Sequence, residues 1–193
     1  MMRRPAVLLL LLLLLGLGPA VPAAAQAPVL WTVDPAHSRL GFLFEQSGSR
    51  YEGRFARWTA EIAFDPGDLA HSTVAVVINL ASADTGSDQR DELLRSASLF
   101  DVADYPEGRF LADEIAATGA DRYEARGQLT LRDVTRDVVL PFSLTIADGR
   151  ASASGRLGIR RLDYGVGQGQ WHDTGMVGDA VTIVFELVAT RAE

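Results

Sequence analysis

The sequence predicts an all-β domain of about eight antiparallel strands, and three observations carry that reading. Apolar residues alternate with polar ones in segment after segment, the period-two signature of strands that bury one face. Turn chemistry falls between the segments, as in a meander: Asp65-Pro66-Gly67-Asp68, Thr118-Gly119-Ala120-Asp121 and Ala147-Asp148-Gly149. No Pro-rich linker, repeat or shift of composition divides the chain, so one domain accounts for it. Eight antiparallel strands can close a barrel whose interior is packed or holds one small ligand. A two-sheet sandwich would show the same alternation, so the pattern leaves both architectures open.

Residues 1–25 read as a secretory signal. Arg3 and Arg4 form a basic start, Val7 to Leu15 is an apolar run too short to span a bilayer, and Ala23-Ala24-Ala25 offers cleavage after Ala25. The domain is then 26–193. Its first strand is expected at Val29 to Val33, and Leu40, Phe42 and Phe44 share the face of the next. Trp58, Ala60, Ile62 and Phe64 repeat the pattern, as do Val74, Val76, Ile78 and Leu80. The alternation then stops. Over about 87–105 the spacing predicts a short amphipathic helix from Asp88 to Leu94, then Phe100-Asp101 and a Tyr105-Pro106 corner. Strands resume near Arg109 to Ile115, at Tyr123 to Leu131, at Leu140 to Ile146 and at Ala151 to Ile159. Gly165 to Gly178 carries five glycines and reads as a mobile loop over one end. Val181 to Ala189 closes the chain as a strand.

Composition narrows the function. Removing the signal leaves 16 basic residues against 25 acidic ones, a net charge of −9, which argues against nucleic acid or an anionic membrane surface as a standing partner. Without cysteine there is no disulfide, no thiol chemistry, no zinc-thiolate site and no lipoprotein anchor, so burial must hold the fold. Every cation is an arginine.

Three segments together, WTVDPAHSRLGF at 31–42, RDELLRSASLFDVADYPEGRF at 90–110 and GQLTLRDVTRDVVLPF at 127–142, resemble the YceI-like family of periplasmic proteins. The resemblance runs from about Trp31 to Ala189. It implies a lipocalin-like barrel, rather than a sandwich, whose elongated pocket binds a polyisoprenoid or other long-chain lipid in the periplasm. Where family members often carry a histidine after the Phe42 strand, this chain has Phe44-Glu45-Gln46-Ser47-Gly48, which implies a different head group.

The alternation alone reports burial and says nothing of voids, so on pattern the inward residues read as an ordinary core. With the resemblance they become the lining of a pocket. Phe42, Phe44, Phe55, Val76 and Ile78 would line it from the first half of the chain. Phe100 and Phe110 would follow, then Leu129, Leu140, Phe142, Leu157, Ile183 and Phe185. At ~0.8 kcal/mol per buried methylene, ~20 such carbons would gain roughly 16 kcal/mol against water. Against a bilayer the gain is near zero, because acyl chains are equally apolar. Tight holding in water, with transient exchange and no stable membrane insertion, is the expected behaviour.

The helical insertion has two possible jobs. As a plug, Leu93, Leu94 and Phe100 would cover a barrel end with Asp88, Asp91 and Glu92 in water. As a mouth, Arg90 and Arg95 would pair with a phosphate or carboxylate head group. Asp34, His37 and Ser38 invite a catalytic reading, but three residues at a strand start rarely converge as a triad, and no nucleophile-elbow motif occurs. The three histidines lack ligand spacing, and no dinucleotide or phosphate-loop motif is present, so neither metal, cofactor nor catalytic residue is expected. Two other readings stay open: a ligand-free envelope or stress-response scaffold with a packed core, and a hydrolase or isomerase acting on lipid. Edge strands at an imperfectly closed barrel could support a homodimer.

Overall fold

Three of the barrel's strands are broken, which is why eleven strand segments make an eight-stranded wall. The computed structural model describes residues 29–192; the export signal read over 1–25 lies outside them. The segments are β1 (Leu30–Val33), β2 (Arg39–Gln46), β3 (Ser49–Phe55), β4 (Trp58–Ala63), β5 (Thr73–Asn79), β6 (Ala83–Asp84), β7 (Glu107–Gly119), β8 (Arg122–Leu131), β9 (Val134–Ala147), β10 (Arg150–Arg160) and β11 (Ala180–Arg191). One helix, α1 (Asp88–Arg95), interrupts them.

Going round the wall, β1, β4, β5, β7, β8, β9, β10 and β11 each pair antiparallel with the next, and β11 returns to β1. The all-β, antiparallel, eight-stranded lipocalin-like barrel is therefore closed. β1 and β2 both lie along β11, β1 opposite Ala189–Arg191 and β2 opposite Thr182–Glu186, so they are two halves of one wall strand. The break is the turn Asp34–Ser38, where Pro35 has no N–H to give a ladder and the His37 N–H turns back to the Asp34 carbonyl at 3.3 Å. β3 and β4 are likewise halves of one strand. They part at Ala56-Arg57, whose N–H groups leave the wall for Ser82, one to its carbonyl and one to its hydroxyl, both at 3.0 Å. β5 and β6 are the halves of a third, β5 pairing with β4 and β6 with β3.

Inward-facing residues of every wall strand meet in one core. Trp31 anchors its lower end, the indole N–H donating to the Phe64 carbonyl at 2.9 Å. In β7 the register slips between Ala112 and Glu114, a bulge that bends the strand around the barrel.

The helix expected at Asp88 to Leu94 is present, one residue longer. The sequence reading missed β3 as a strand, because Gly53 interrupts its inward stripe between Tyr51 and Phe55. The hairpin at Arg132-Asp133 turns without glycine, Arg132 itself taking a φ of +53°. Its side chain explains the choice: the guanidinium donates to the Ala97 carbonyl at 2.9 Å, to the Leu99 carbonyl and to Asp101 at 3.2 Å, tying the hairpin to the segment after α1.

Candidate ligand-binding interior

An eight-stranded barrel is just wide enough for side chains to fill it, so a void requires small residues at inward positions. This chain has them. Ala60, Ala125, Ala151, Ala153 and Ala189 all face a lower chamber of about 150 Å³ whose lining side chains are all apolar. An upper chamber of about 110 Å³ lies beneath α1. Ile78, Leu129 and Ile183 line both, forming a waist between them.

β11 lines the two chambers in succession through the alternate residues Ala189, Leu187, Phe185, Ile183 and Val181. Those eight steps rise ~27 Å along the strand at ~3.4 Å each. With a tilt of about 40°, the chambers extend on the order of 20 Å along the barrel axis. That is comparable with half of a ~30 Å bilayer core, the depth of one leaflet's acyl chains.

The structure places all thirteen of the apolar residues singled out from the sequence on these walls. Phe42, Phe44, Phe55 and Phe100 line the upper chamber. Val76, Phe110, Leu140, Phe142, Leu157 and Phe185 line the lower one, and Ile78, Leu129 and Ile183 form the waist. Sequence reasoning passed over the alanines, although their alternation with polar residues was plain.

At the upper end Leu93, Leu94, Leu99 and Phe100 form a roof over the chamber. Asp91 is not in water, as the plug reading had it. It is buried, accepting the Thr85 N–H at 2.8 Å and the Thr85 hydroxyl at 2.7 Å, and so ties α1 to the chain before it. The two arginines of the mouth reading separate. Arg90 lines the upper chamber, stacked 4.7 Å from the Tyr51 ring centre, with Nε and Nη2 donating to Thr85. Arg95 lines neither chamber; its guanidinium turns away to the Ala81 carbonyl at 3.4 Å.

A third arginine went unremarked as a site residue. Arg161 is buried beside the upper chamber, where its guanidinium donates to the carbonyls of Gly178 at 3.0 Å, Val166 at 2.9 Å and Val177 at 2.8 Å. Burial lowers its pKa, with Asp179 acting in the opposite sense. Nearby, burial raises the pKa of the Tyr164 phenol. Gly165 to Gly178, read from sequence as a mobile loop, is thus pinned to one central cation.

Asp34 and His37 form a surface pair at 2.7 Å, and that hydrogen bond from the ring holds the Asp34 carboxyl below its usual range. The Ser38 hydroxyl is spent on β11, accepting the Val188 N–H at 3.0 Å and donating to its carbonyl at 3.2 Å. His71 pairs with Asp68, and among the described residues no cluster of three His, Asp or Glu side chains suited to a metal forms.

Comparison with known proteins gives a consistent result. The model of a family described as YceI-like domain matches residues 31–189. A UPF0312 protein of Vibrio cholerae is 29% identical over 156 residues, 76% of this chain and 82% of that one. Another, from Azotobacter vinelandii, is 28% identical over 188 residues, 92% of this chain and 95% of its own. Among solved structures, BcnA of Burkholderia cenocepacia superposes with a TM-score of 0.80 at 32% identity, covering 82% of this chain and all of that one. A polyisoprenoid-binding domain from Saccharophagus degradans superposes with a TM-score of 0.70 over 85% of this chain and 99% of its own, at 18% identity, a likeness of fold.

Proposed function

The chain belongs to the YceI-like domain family, and from that premise we propose that it sequesters or carries a long-chain hydrophobic molecule, a polyisoprenoid or related lipid, inside its barrel. The observation that carries the reading is the pair of apolar chambers stacked along one axis. A wall without a polar side chain gives a ligand's polar group no partner, so the lower chamber suits a hydrocarbon tail. The polyisoprenoid-binding neighbour shares this barrel architecture. A lower chamber lined only by apolar side chains supports binding rather than turnover.

Arg90 is the head-group residue of this reading. Its two contacts with Thr85 leave other N–H donors of the guanidinium for a phosphate or carboxylate at the upper end. The signal-like residues 1–25 support export, cleavage after Ala25 and work in the periplasm.

The test is to purify the mature protein, extract it with organic solvent and weigh the intact protein by native mass spectrometry. A stoichiometric lipid absent from a lipid-free control supports the carrier role and names the chain. A mass that stays unliganded after incubation with polyprenyl and fatty-acyl lipids overturns it in favour of a scaffold. If Arg90→Ala binds phosphorylated and neutral lipids with the wild-type preference, the head-group role is wrong.

A further inference from the structure

We propose that the broken strands leave a side door in the barrel wall, through which a hydrophobic chain passes between a lipid bilayer and the lower chamber. This inference rests on the ligand-binding reading above.

The door is a stretch of wall with no ladder. β1 pairs with β4 only at Leu30↔Ala63 and Trp31↔Ile62, and β2 meets β3 only from Gly41↔Arg54 up to the hairpin. Between those points residues 32–40 face residues 55–61, and no backbone pairing or hydrogen bond joins the two lips. A surface groove of about 1450 Å³ runs over the gap. Trp31, Leu40, Trp58, Ala60 and Ile62 line both this groove and the lower chamber, so side chains alone separate outside from inside.

Energetics favour this route over a junction laddered along its length; β9 and β10 are also unpaired beyond Gly155↔Phe142, but no residue of that stretch lines the groove. At the β10–β11 junction eleven residue pairs hold the wall shut, and parting them would strip backbone groups of their partners in an apolar setting. Parting the lips of the gap breaks no such bond. Each lip is also fastened on its far side, so it keeps its shape as the gap widens. Asp34 and Ser38 are bonded to Val188, while Ala56 and Arg57 are bonded to Ser82.

The barrel ends offer poorer passage. The upper end is roofed by α1 and the segment after it, which Arg132 holds through the carbonyls of Ala97 and Leu99. At the lower end Phe64, Tyr123 and Phe142 form a contiguous aromatic floor, with ring centres 5.5 Å and 5.4 Å apart. A lateral gap also lets a chain lying in a leaflet move sideways into the chamber without being threaded end-on.

The chain has no cysteine, so a staple can be placed cleanly. Ala36→Cys and Thr59→Cys lie exposed on opposite lips of the groove, and a bismaleimide with an internal disulfide would hold them at their resting separation. Uptake of the fluorescent fatty acid cis-parinaric acid from phosphatidylcholine vesicles is then followed in free, stapled and reductant-released protein. The expected result is at least a tenfold slowing on stapling, full recovery on release, and an unchanged amount bound at equilibrium. Equal rates in the stapled and free states overturn the door and leave the ligand-binding reading standing. No uptake in any state overturns that reading and the door with it.

Discussion

The outer end of the Phe42 ring lies over Gly53, its partner across the β2–β3 ladder, so that even a methyl group on residue 53 has no room. Phe42 also contacts Phe44 and Phe55, so the ring cannot move without disturbing the upper chamber. Gly53→Ala is therefore expected to destabilise the protein by about 1–3 kcal/mol through overpacking. Urea unfolding followed by tryptophan fluorescence would show a lower midpoint with an unchanged slope. Combining it with Phe42→Leu should cost less than the two changes added separately.

Filling the lower chamber separates binding from stability. Ala60→Leu with Ala153→Leu puts six extra carbons into space that the wild type leaves empty. Lipid uptake should fall at least tenfold by native mass spectrometry, while the melting temperature holds or rises. A fall in both would mean that the alanines are close-packed and the chamber is not open space.

Removing the cation at the centre of the Gly165–Gly178 loop should loosen that loop before the barrel. Arg161→Met leaves the carbonyls of Val166, Val177 and Gly178 without their donor. A loss of about 2 kcal/mol or more is expected from unmade buried hydrogen bonds. Hydrogen exchange should quicken over residues 166–178 and stay unchanged in β9 and β10.

Acid should weaken the protein at a defined place. The Asp84 carboxyl is held below its usual range by the Gly86 N–H at 2.9 Å and by Arg54 at 2.7 Å. A carboxyl whose folded pKa is depressed contributes stability above its unfolded value, about 3.9, and loses it as pH falls through the folded value. The urea midpoints of wild type and Asp84→Asn should therefore differ by a constant amount from pH 7 to about pH 5 and converge below about pH 4. Convergence already near pH 6 would assign the effect to another group.

Much of the barrel was legible because period-two alternation survives in seven wall strands, and α1 stood out as the one place where it failed. What escaped was set by pairing across the barrel rather than along it. Gly53 hides a strand because its inward space belongs to Phe42. The gap in the wall needs two breaks side by side. Pro35 announces one, but Ala56-Arg57 carries no proline or glycine to mark the other. Arg161 looks like any surface arginine until the fold brings three loop carbonyls to it. The apolar lining could be named, yet its emptiness depends on alanines that read simply as weak strand residues.

The waist of Ile78, Leu129 and Ile183 bears on how affinity should grow with the length of a bound hydrocarbon. With the head group at Arg90, a tail that ends within the upper chamber gains ~0.8 kcal/mol for each added methylene. One that is slightly longer must turn three branched side chains aside before it gains again, so a plot of binding free energy against carbon number should climb, flatten and climb once more. A homologous series of fatty acids would thus divide into short and long classes, with the boundary set by three residues rather than by the barrel's full length.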